Sequence, residues 1–380
     1  MEENKEQSAQ RRRFIKGVTL GVGGIVLSSP IMSFMSASAS GDNNNRKQLG
    51  IALVGLGGYS TNQLAPALQE TENCYLAGIV TGTPSKIDDW KKKYDIPDKN
   101  VYNYENFDEI ANNDDIDIVY VVLPNALHAE YVIRAAKAKK HVICEKPMAT
   151  NVEDAKRMLD ACNENGVQLA IGYRLHFEPY NKRVMELGQQ QVFGKVKSIT
   201  ANNSSDMTSK KPNLWRLDKE LAGGGSLMDL GIYAVQGAVY TMGEKPVAVA
   251  AKYGEVTKPT FFHDVEQSIN WELEFEDGVK AKSNSSYAEE QNELSAEAEN
   301  GWWNVSPAYA YEGKKGETSE GEMDYPNIFE QVNQMDSQAE SFRNSEKSIV
   351  PGEMGLRDMK ILMAIYESAN AGGERVVIQY

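Results

Sequence analysis

Apolar and polar positions are arranged in two different ways along the chain. In the first half, short and nearly continuous apolar runs recur at 49–54, 76–80, 116–123, 141–143 and 167–171. Runs of that length with no polar face suit strands covered on both sides, as in a parallel sheet. Helical signals separate them. Leu64, Ala67 and Leu68 share a helical spacing, and Asp88, Lys91 and Lys92 form a polar helix face. A further helix is predicted over 129–138. Asn151, with Asp154 three residues on, caps another that runs through Cys162 and stops at Gly166. Residues 101–104 add a short strand. This alternation predicts one doubly wound unit over 49–172.

From residue 173 the period changes. Alternating positions over 196–201, 247–253, 268–276 and 280–287 predict half-buried strands of a mostly antiparallel sheet. Helices are predicted over 182–187, stopped at Gly188, and over 327–342 and 355–369. The acidic, aromatic stretch 289–324 (Trp302, Trp303, Tyr309, Tyr311) reads as sheet edges and long loops. The expected fold class is α/β: a dinucleotide-type domain at 49–172 and an α+β domain at 173–380 with an open, mostly antiparallel sheet.

Residues 1–39 read as an address. Arg11-Arg12-Arg13-Phe14-Ile15-Lys16 precedes a Gly- and Ser-rich apolar run, and Ala37-Ser38-Ala39 supplies small residues for a signal peptidase. This predicts a Tat-type signal cut after Ala39, with 40–48 as a polar linker. Gln10 stands where a Ser or Thr is usual. An uncleaved anchor needs a longer continuous apolar stretch. Tat export carries folded proteins, so a cofactor can be inserted first. The expected location is the periplasm, with the Tat machinery as a partner and no membrane contact after cleavage.

A length of 380 residues suits about two domains, and 41% hydrophobic with 25% charged residues is ordinary for a globular chain. The net charge of −14 argues against nucleic acid or anionic lipid as a bulk partner. A local basic pocket for phosphate stays open. The three cysteines, Cys74, Cys144 and Cys162, have no metal-like spacing and read as small buried residues, so no metal is expected.

The chemistry sits at strand ends. After the first strand comes Gly55-Leu56-Gly57-Gly58-Tyr59-Ser60 and then a helix. Gly55 permits a tight turn, and Gly57 lets backbone approach a pyrophosphate at the helix N-terminus. Ser60 replaces the third glycine of that Rossmann fingerprint. The second strand ends in Thr81-Gly82-Thr83-Pro84-Ser85-Lys86, with no carboxylate to repel a ribose 2′-phosphate and hydroxyls and a Lys to hold one. NADP is therefore expected over NAD, although Ser85 and Lys86 read equally as a helix start. Leu123, Pro124 and Asn125 end the fourth strand. His128 follows one turn on, as a ligand contact or as a structural histidine. Cys144-Glu145-Lys146-Pro147 ends the fifth strand, where a Lys can hold a substrate hydroxyl and favour a developing alkoxide; the plainer reading is a surface Lys before a loop. Asp229 and Tyr233, four apart after Gly223-Gly224-Gly225, share a helical face. They can bind a sugar hydroxyl and pass a proton, or form a packing pair.

Taken together, the Rossmann turn, Glu145-Lys146-Pro147 at the end of the fifth strand and Asp229-x-Gly231-x-Tyr233 after the glycine loop resemble the glucose–fructose oxidoreductase and inositol dehydrogenase family. The resemblance spans residues 48–378. Tyr173-Arg174-x-His176-Phe177-Glu178-Pro179-Tyr180-Asn181, Trp215-Arg216, Ala222-Gly223-Gly224-Gly225-Ser226-Leu227-Met228-Asp229, Gly301-Trp302 with Pro307-Ala308, the leader and the stretch 82–86 resemble its Tat-exported glucose–fructose oxidoreductase branch in particular.

The resemblance implies an oxidoreductase that moves hydride between a sugar or polyol carbinol and a tightly held NADP, with NAD as the alternative. It implies Lys146, Asp229 and Tyr233 as catalytic residues, the first two on substrate hydroxyls and Tyr233 as the proton carrier. An ordinary Tyr titrates near pH ~10, so Lys146 would have to stabilise its phenolate. Many relatives carry His in place of this Tyr. The implied cofactor set is Gly55, Gly57, Gly58, Tyr59, Thr81, Ser85, Lys86, Tyr104, Leu123, Pro124, Asn125, His128, Glu145, Lys146, Arg174, Trp215 and Arg216. A homodimer or homotetramer built on the sheet domain is implied as well. Two other functions stay open: an NAD-dependent glycosidase that oxidises its sugar transiently, and a cofactor-binding sensor without turnover.

Overall fold

The structure, a computed structural model, describes residues 48–210 and 214–380. The expected export signal, its cleavage site and the linker up to residue 47 lie outside the described residues.

Two sheets organise the chain. The first holds six parallel strands: β1 (Leu49–Val54), β2 (Cys74–Val80), β3 (Val101–Tyr102), β4 (Ile118–Val121), β5 (His141–Cys144) and β6 (Leu169–Ile171). Their order, β3-β2-β1-β4-β5-β6, reverses beside β1, the switch point at which open α/β sheets bind ligands. The apolar runs are explained by burial on both faces. Ile51, Leu53, Tyr120 and Ile143 enter one core with Leu64. Ala52, Val54, Val119, Val121 and Val142 enter the other. All are fully buried, and each large aliphatic side chain so buried contributes about 2 kcal/mol. Asn151 caps the helix Val152–Asn165 by accepting from the Asp154 N–H at 2.8 Å, and Gly166 ends it at φ +67°.

The second sheet has nine strands: β7 (Val196–Ser204), β8 (Ala248–Tyr253), β9 (Ser268–Glu274), β10 (Lys280–Ser286), β11 (Gln291–Ala298), β12 (Trp302–Val305), β13 (Gly316–Thr318), β14 (Gly321–Met323) and β15 (Val376–Val377). Its order is β14-β13-β12-β11-β7-β10-β9-β8-β15. β7 and β10 pair parallel and the other neighbours antiparallel. The helices Pro179–Gln189, Ile232–Met242 and Gly352–Asn370 cover one face, while Asn270, Lys280, Lys282 and Glu297 stand exposed on the sheet. The helix Glu330–Arg343 returns to the first sheet, where Met335, Ala339 and Phe342 join the core of Ile51 and Leu53. The C-terminal third therefore clamps both sheets together.

One expectation is corrected and another is filled in. Gly188 does not stop its helix, which starts at Pro179 because the Glu178 side chain accepts from the Tyr180 and Asn181 N–H groups. Gly188 lies inside the helix because a Cβ there would sit 2.0 Å from the Thr241 carbonyl oxygen. The stretch 289–324, expected as edges and loops, carries the four strands β11 to β14. Among the described residues no helix is long and apolar enough to cross a membrane, and no group of three His, Cys, Asp or Glu is placed to hold a metal ion. The three cysteines are free and buried.

Candidate active site

β1 ends in the glycine turn. Gly55 has φ +93°, and a Cβ there would lie 2.4 Å from the Val122 carbonyl oxygen, so glycine alone lets the turn press against the end of β4. Gly57 is the opposite case: a Cβ on it would meet nothing within 4 Å. Ser60 compensates for the missing third glycine by donating its hydroxyl to the Gly55 carbonyl, tying the turn to the helical stretch that begins at Ser60–Leu64. Lys86 reaches across from the end of β2 and donates to the Leu56 carbonyl at 2.6 Å. Partial burial lowers its pKa.

This turn forms one end of a cavity of about 640 Å³. Gly55, Gly57, Gly58, Tyr59, Thr81, Lys86, Tyr104, Leu123, Pro124 and Asn125 line it on the side of the first sheet. Glu145, Lys146, Arg174, Trp215, Arg216, Asp229 and Tyr233 line the rest, together with Asn203, Glu290, Asn292, Tyr309 and Tyr311 from the second sheet and its loops. Burial pushes the Tyr104 phenol up to about 12.

Two expected cofactor contacts are not brought to this wall. His128 is fully buried, with Nε2 2.8 Å from the Leu123 carbonyl oxygen and Nδ1 3.0 Å from that of Pro147. Both ring nitrogens face backbone carbonyls, one of which a neutral imidazole can serve with its single N–H, so His128 packs between the loop after β4 and the loop after β5 and not against a ligand. Burial lowers its pKa against the pull of those carbonyls. Ser85 is exposed on the turn Pro84–Lys86, outside the cavity lining.

Lys146, Asp229 and Tyr233 come together from two domains. Lys146 follows β5. Asp229 lies in a π-helical turn, Leu227–Gly231, that runs into the helix Ile232–Met242 carrying Tyr233. Such wide turns recur at functional sites. The Lys146 ammonium donates to the Asp229 backbone carbonyl at 2.7 Å, lies 3.8 Å from Asp229 Oδ1 and stands 4.3 Å from the Tyr233 ring centroid. Arg216 Nε is 3.1 Å from Asp229 Oδ2, and the Tyr287 hydroxyl donates to the same oxygen at 3.2 Å. Burial alone would raise the Asp229 pKa. The Arg216 and Lys146 charges, with the Arg216 and Tyr287 hydrogen bonds, outweigh it and hold the carboxyl below its ordinary range.

Arg174 stands behind Tyr233. Its guanidinium is 5.2 Å from the Tyr233 ring and 4.2 Å from that of Tyr311, pairs with Glu330 and donates to the Tyr309 carbonyl. Two cations thus flank the Tyr233 ring.

Several contributors have no local sequence signal. Glu266 pins the glycine loop before Asp229: Oε2 accepts from the Gly225 N–H at 2.8 Å, and Oε1 accepts from the Leu227 N–H at 2.9 Å and the Tyr366 hydroxyl at 2.8 Å. Tyr287 and Glu330 likewise act on residues far away in the chain. The aromatic clustering at 302–311 is the one visible hint of Tyr311.

The chain matches two family models: "Oxidoreductase family, NAD-binding Rossmann fold" over residues 49–173 and "GFO/IDH/MocA C-terminal domain" over residues 181–304. It is 31% identical over 327 residues to a D-xylose 1-dehydrogenase [NADP(+)] of Haloarcula marismortui, covering 84% of this chain and 90% of that protein. Its structure matches that of an aldose-aldose oxidoreductase from Caulobacter crescentus complexed with glycerol, with a TM-score of 0.84, 37% identity, and coverage of 87% of this chain and 100% of that one. A 3-ketoreductase from Actinomadura kijaniata in complex with NADP and TDP-benzene shares the fold, at 21% identity and a TM-score of 0.73 over 84% of this chain and 98% of that one. On the two matched domains and the full-length relatives, the chain belongs to the GFO/IDH/MocA family of oxidoreductases.

Proposed function

We propose that this protein is a sugar or polyol oxidoreductase that uses NADP, keeps it bound through the cycle and works in the periplasm after Tat export. One observation carries the reading: a single cavity joins the glycine turn of β1 to Lys146, Asp229 and Tyr233. The names of the relatives, a xylose dehydrogenase and an aldose–aldose oxidoreductase, point to the same substrate class. The leader at 11–39 supports export. A folded, loaded protein needs no free NADP pool outside the cytoplasm.

The residues present fit a nicotinamide dinucleotide. Gly57 lines the cavity with open space where a Cβ would stand, and the N–H groups of the following helical turn favour a pyrophosphate. Thr81 and Lys86 offer a hydroxyl and an ammonium at the end of β2, with no carboxylate at the position that would select against a 2′-phosphate. Such a cofactor supplies one hydride acceptor, or one donor in the reverse direction.

The protein's own groups do the rest. Lys146 and Asp229 hold the hydroxyls of the sugar at the domain junction. Tyr233 Oη takes the proton of the reacting carbinol, or returns it when a carbonyl is reduced. The Lys146 and Arg174 cations beside the ring offset the negative charge that develops on the exchanging oxygens. The Arg216–Asp229 pair keeps the carboxylate ionised and aimed.

The test is an absorbance spectrum of the purified, desalted protein before and after adding glucose and related sugars. The proposal expects a nicotinamide band that rises with an aldose and falls again with a ketose or lactone. A spectrum that responds only when free cofactor is supplied removes the retained-cofactor part. Aglycone release from chromogenic glycosides without net reduction replaces the reading with the glycosidase.

A further inference from the structure

The helix Glu330–Arg343 turns four polar side chains into the protein: Glu330, Gln331, Gln334 and Gln338, none more than 1% exposed. An apolar face would dock this helix without needing partners, whereas buried amides call for them; Gln331 Oε1 and Gln334 Oε1 find none among the described residues, so what the helix gains lies in the bonds the other atoms make. Glu330 is spent on Arg174. Gln334 points elsewhere. Its Nε2 donates to the Tyr120 hydroxyl at 2.9 Å, and Tyr120 donates to Glu145 Oε1 at 2.7 Å. With Glu145 ionised the direction is fixed: a carboxylate only accepts and a tyrosine has one proton, so the Tyr120 hydroxyl donates to Glu145 and accepts from Gln334. Gln338 steadies the chain by accepting from Gln334 at 3.4 Å and donating to the Ile171 carbonyl at 3.0 Å. The space is made by Gly172, where a Cβ would lie 2.4 Å from Glu145 Oε1 and 3.1 Å from Tyr120 Oη. The other Glu145 oxygen accepts from the Lys146 N–H at 3.3 Å.

We infer that Tyr120 and Gln334 are positioning residues that hold Glu145 ionised at the start of the Lys146 loop, and that protonation of Glu145 is what ends activity at low pH. The functional half of this rests on the proposed role of Lys146. Glu145 is faced by Tyr120 from β4, Tyr59 from the glycine turn, Arg174 from the inter-domain segment and Tyr311 from the loop after β12, with Cys144 and Lys146 beside it in the chain. Burial raises its pKa, while the Tyr120 hydrogen bond and the Lys146 charge pull it down. Asp229 stays below the ordinary carboxylate range. Of these two carboxylates Glu145 takes a proton first as the pH falls. Protonated, it no longer presents a negative charge to Lys146 and accepts less strongly from the Lys146 N–H, which loosens the start of the loop that carries the amine.

The test reads the carboxyl directly. In wild type, acid titration should bring up a protonated-carboxyl infrared band that is absent from Glu145→Gln. Tyr120→Phe and Gln334→Met are close in volume to the native side chains. The first removes both bonds of the Tyr120 hydroxyl, to Glu145 and from Gln334, and the second removes the Gln334 bonds to Tyr120 and Gln338. In Tyr120→Phe the midpoint of that band should move up by about one pH unit, the size expected for losing one hydrogen bond to a charged group; in Gln334→Met, which acts through Tyr120, it should move the same way by less. The acid limb of kcat/KM for the sugar should move with it, and Glu145→Gln, which imitates the protonated form, should be as poor at neutral pH as wild type is below its acid limb. A uniform loss of kcat at every pH with an unmoved band overturns the inference and leaves a merely structural network. A band that moves without the limb overturns its functional half. A band that moves in a protein that turns over no sugar removes the sugar-oxidoreductase reading instead, and leaves the hold on Glu145 standing.

Discussion

The ammonium of Lys146 stands 4.3 Å from the centroid of the Tyr233 ring, although one residue follows a strand of the first sheet and the other lies on a helix of the second domain. The pair exists only when the two domains are docked. Each side chain also has a separate chemical task in the proposed reaction. Tyr233→Phe removes the only atom of that side chain able to carry the proton while keeping the ring, and Lys146→Ala removes the charge beside it. Both should lower kcat by about 10²- to 10⁴-fold while cofactor binding stays within a few-fold of wild type. Steady-state kinetics beside a fluorescence titration with NADPH makes the check. Unchanged turnover in both variants ends the catalytic assignment.

The two glycines of the first turn should behave oppositely on substitution. Gly55→Ala forces a Cβ to within 2.4 Å of the Val122 carbonyl at φ +93°. It should destabilise the fold by about 1–3 kcal/mol or more, visible as a lower Tm. Gly57→Ala places its methyl in open cavity. It should leave Tm within experimental error and weaken cofactor binding at least tenfold. Thermal melts and cofactor titrations on both variants separate folding from binding at positions two residues apart.

Residues whose partners are near in sequence are legible from the chain itself. Asn151 and Asp154 announce a cap, Gly55 and Gly57 announce a turn, and the apolar runs announce strands covered on both faces. His128 is not legible in this way, because a histidine at a helix start looks the same whether it faces a ligand or two backbone carbonyls. Gly188 misleads because a glycine that ends a helix and one that admits a neighbouring carbonyl leave the same mark. The parts of the site that no pattern exposes are those built across the fold. Glu266 meets Gly225 and Tyr287 meets Asp229 only after the second sheet forms, and Glu330 meets Arg174 only after its helix returns to the first sheet. The same limit hides the four strands at 291–323, whose alternation is interrupted by glycines, prolines and charges suited to a sheet edge.

Glu266 offers a sharper test of how the glycine loop is held. Three donors converge on its two oxygens, the Gly225 and Leu227 N–H groups and the Tyr366 hydroxyl. Glu266→Gln keeps the shape but turns an NH2 toward one of those donors. A buried donor left without an acceptor costs about 1–3 kcal/mol, so Tm should fall. Asp229 sits two residues beyond Leu227, so KM for the sugar should rise by more than kcat falls, with cofactor affinity near wild type. A variant that melts early yet shows an unchanged sugar KM would remove Glu266 from the positioning of Asp229.

Three histidines should set the response of the fold to mild acid. Burial lowers the pKa of His128, His141 and His176 below the ordinary value. Their folded forms resist protonation, while the unfolded chain takes up protons near pH ~6.5. Between the unfolded and folded values the unfolded state binds more protons, so stability rises with pH there. Their contribution is fully present above about pH 6.5 and is lost as the pH falls through the depressed folded values. Glu145 and Glu266 act with the opposite sign, because burial raises their pKa in the folded state. The histidine share is therefore read as a difference between proteins. His128→Gln keeps an N–H donor for the carbonyls of the Leu123 and Pro147 loops but cannot titrate. Its Tm should fall less steeply than that of wild type between pH 7 and pH 5, even if it starts lower. Parallel slopes across that interval would mean that His128 takes no part in the acid response, and that its two backbone contacts hold it equally well in either protonation state.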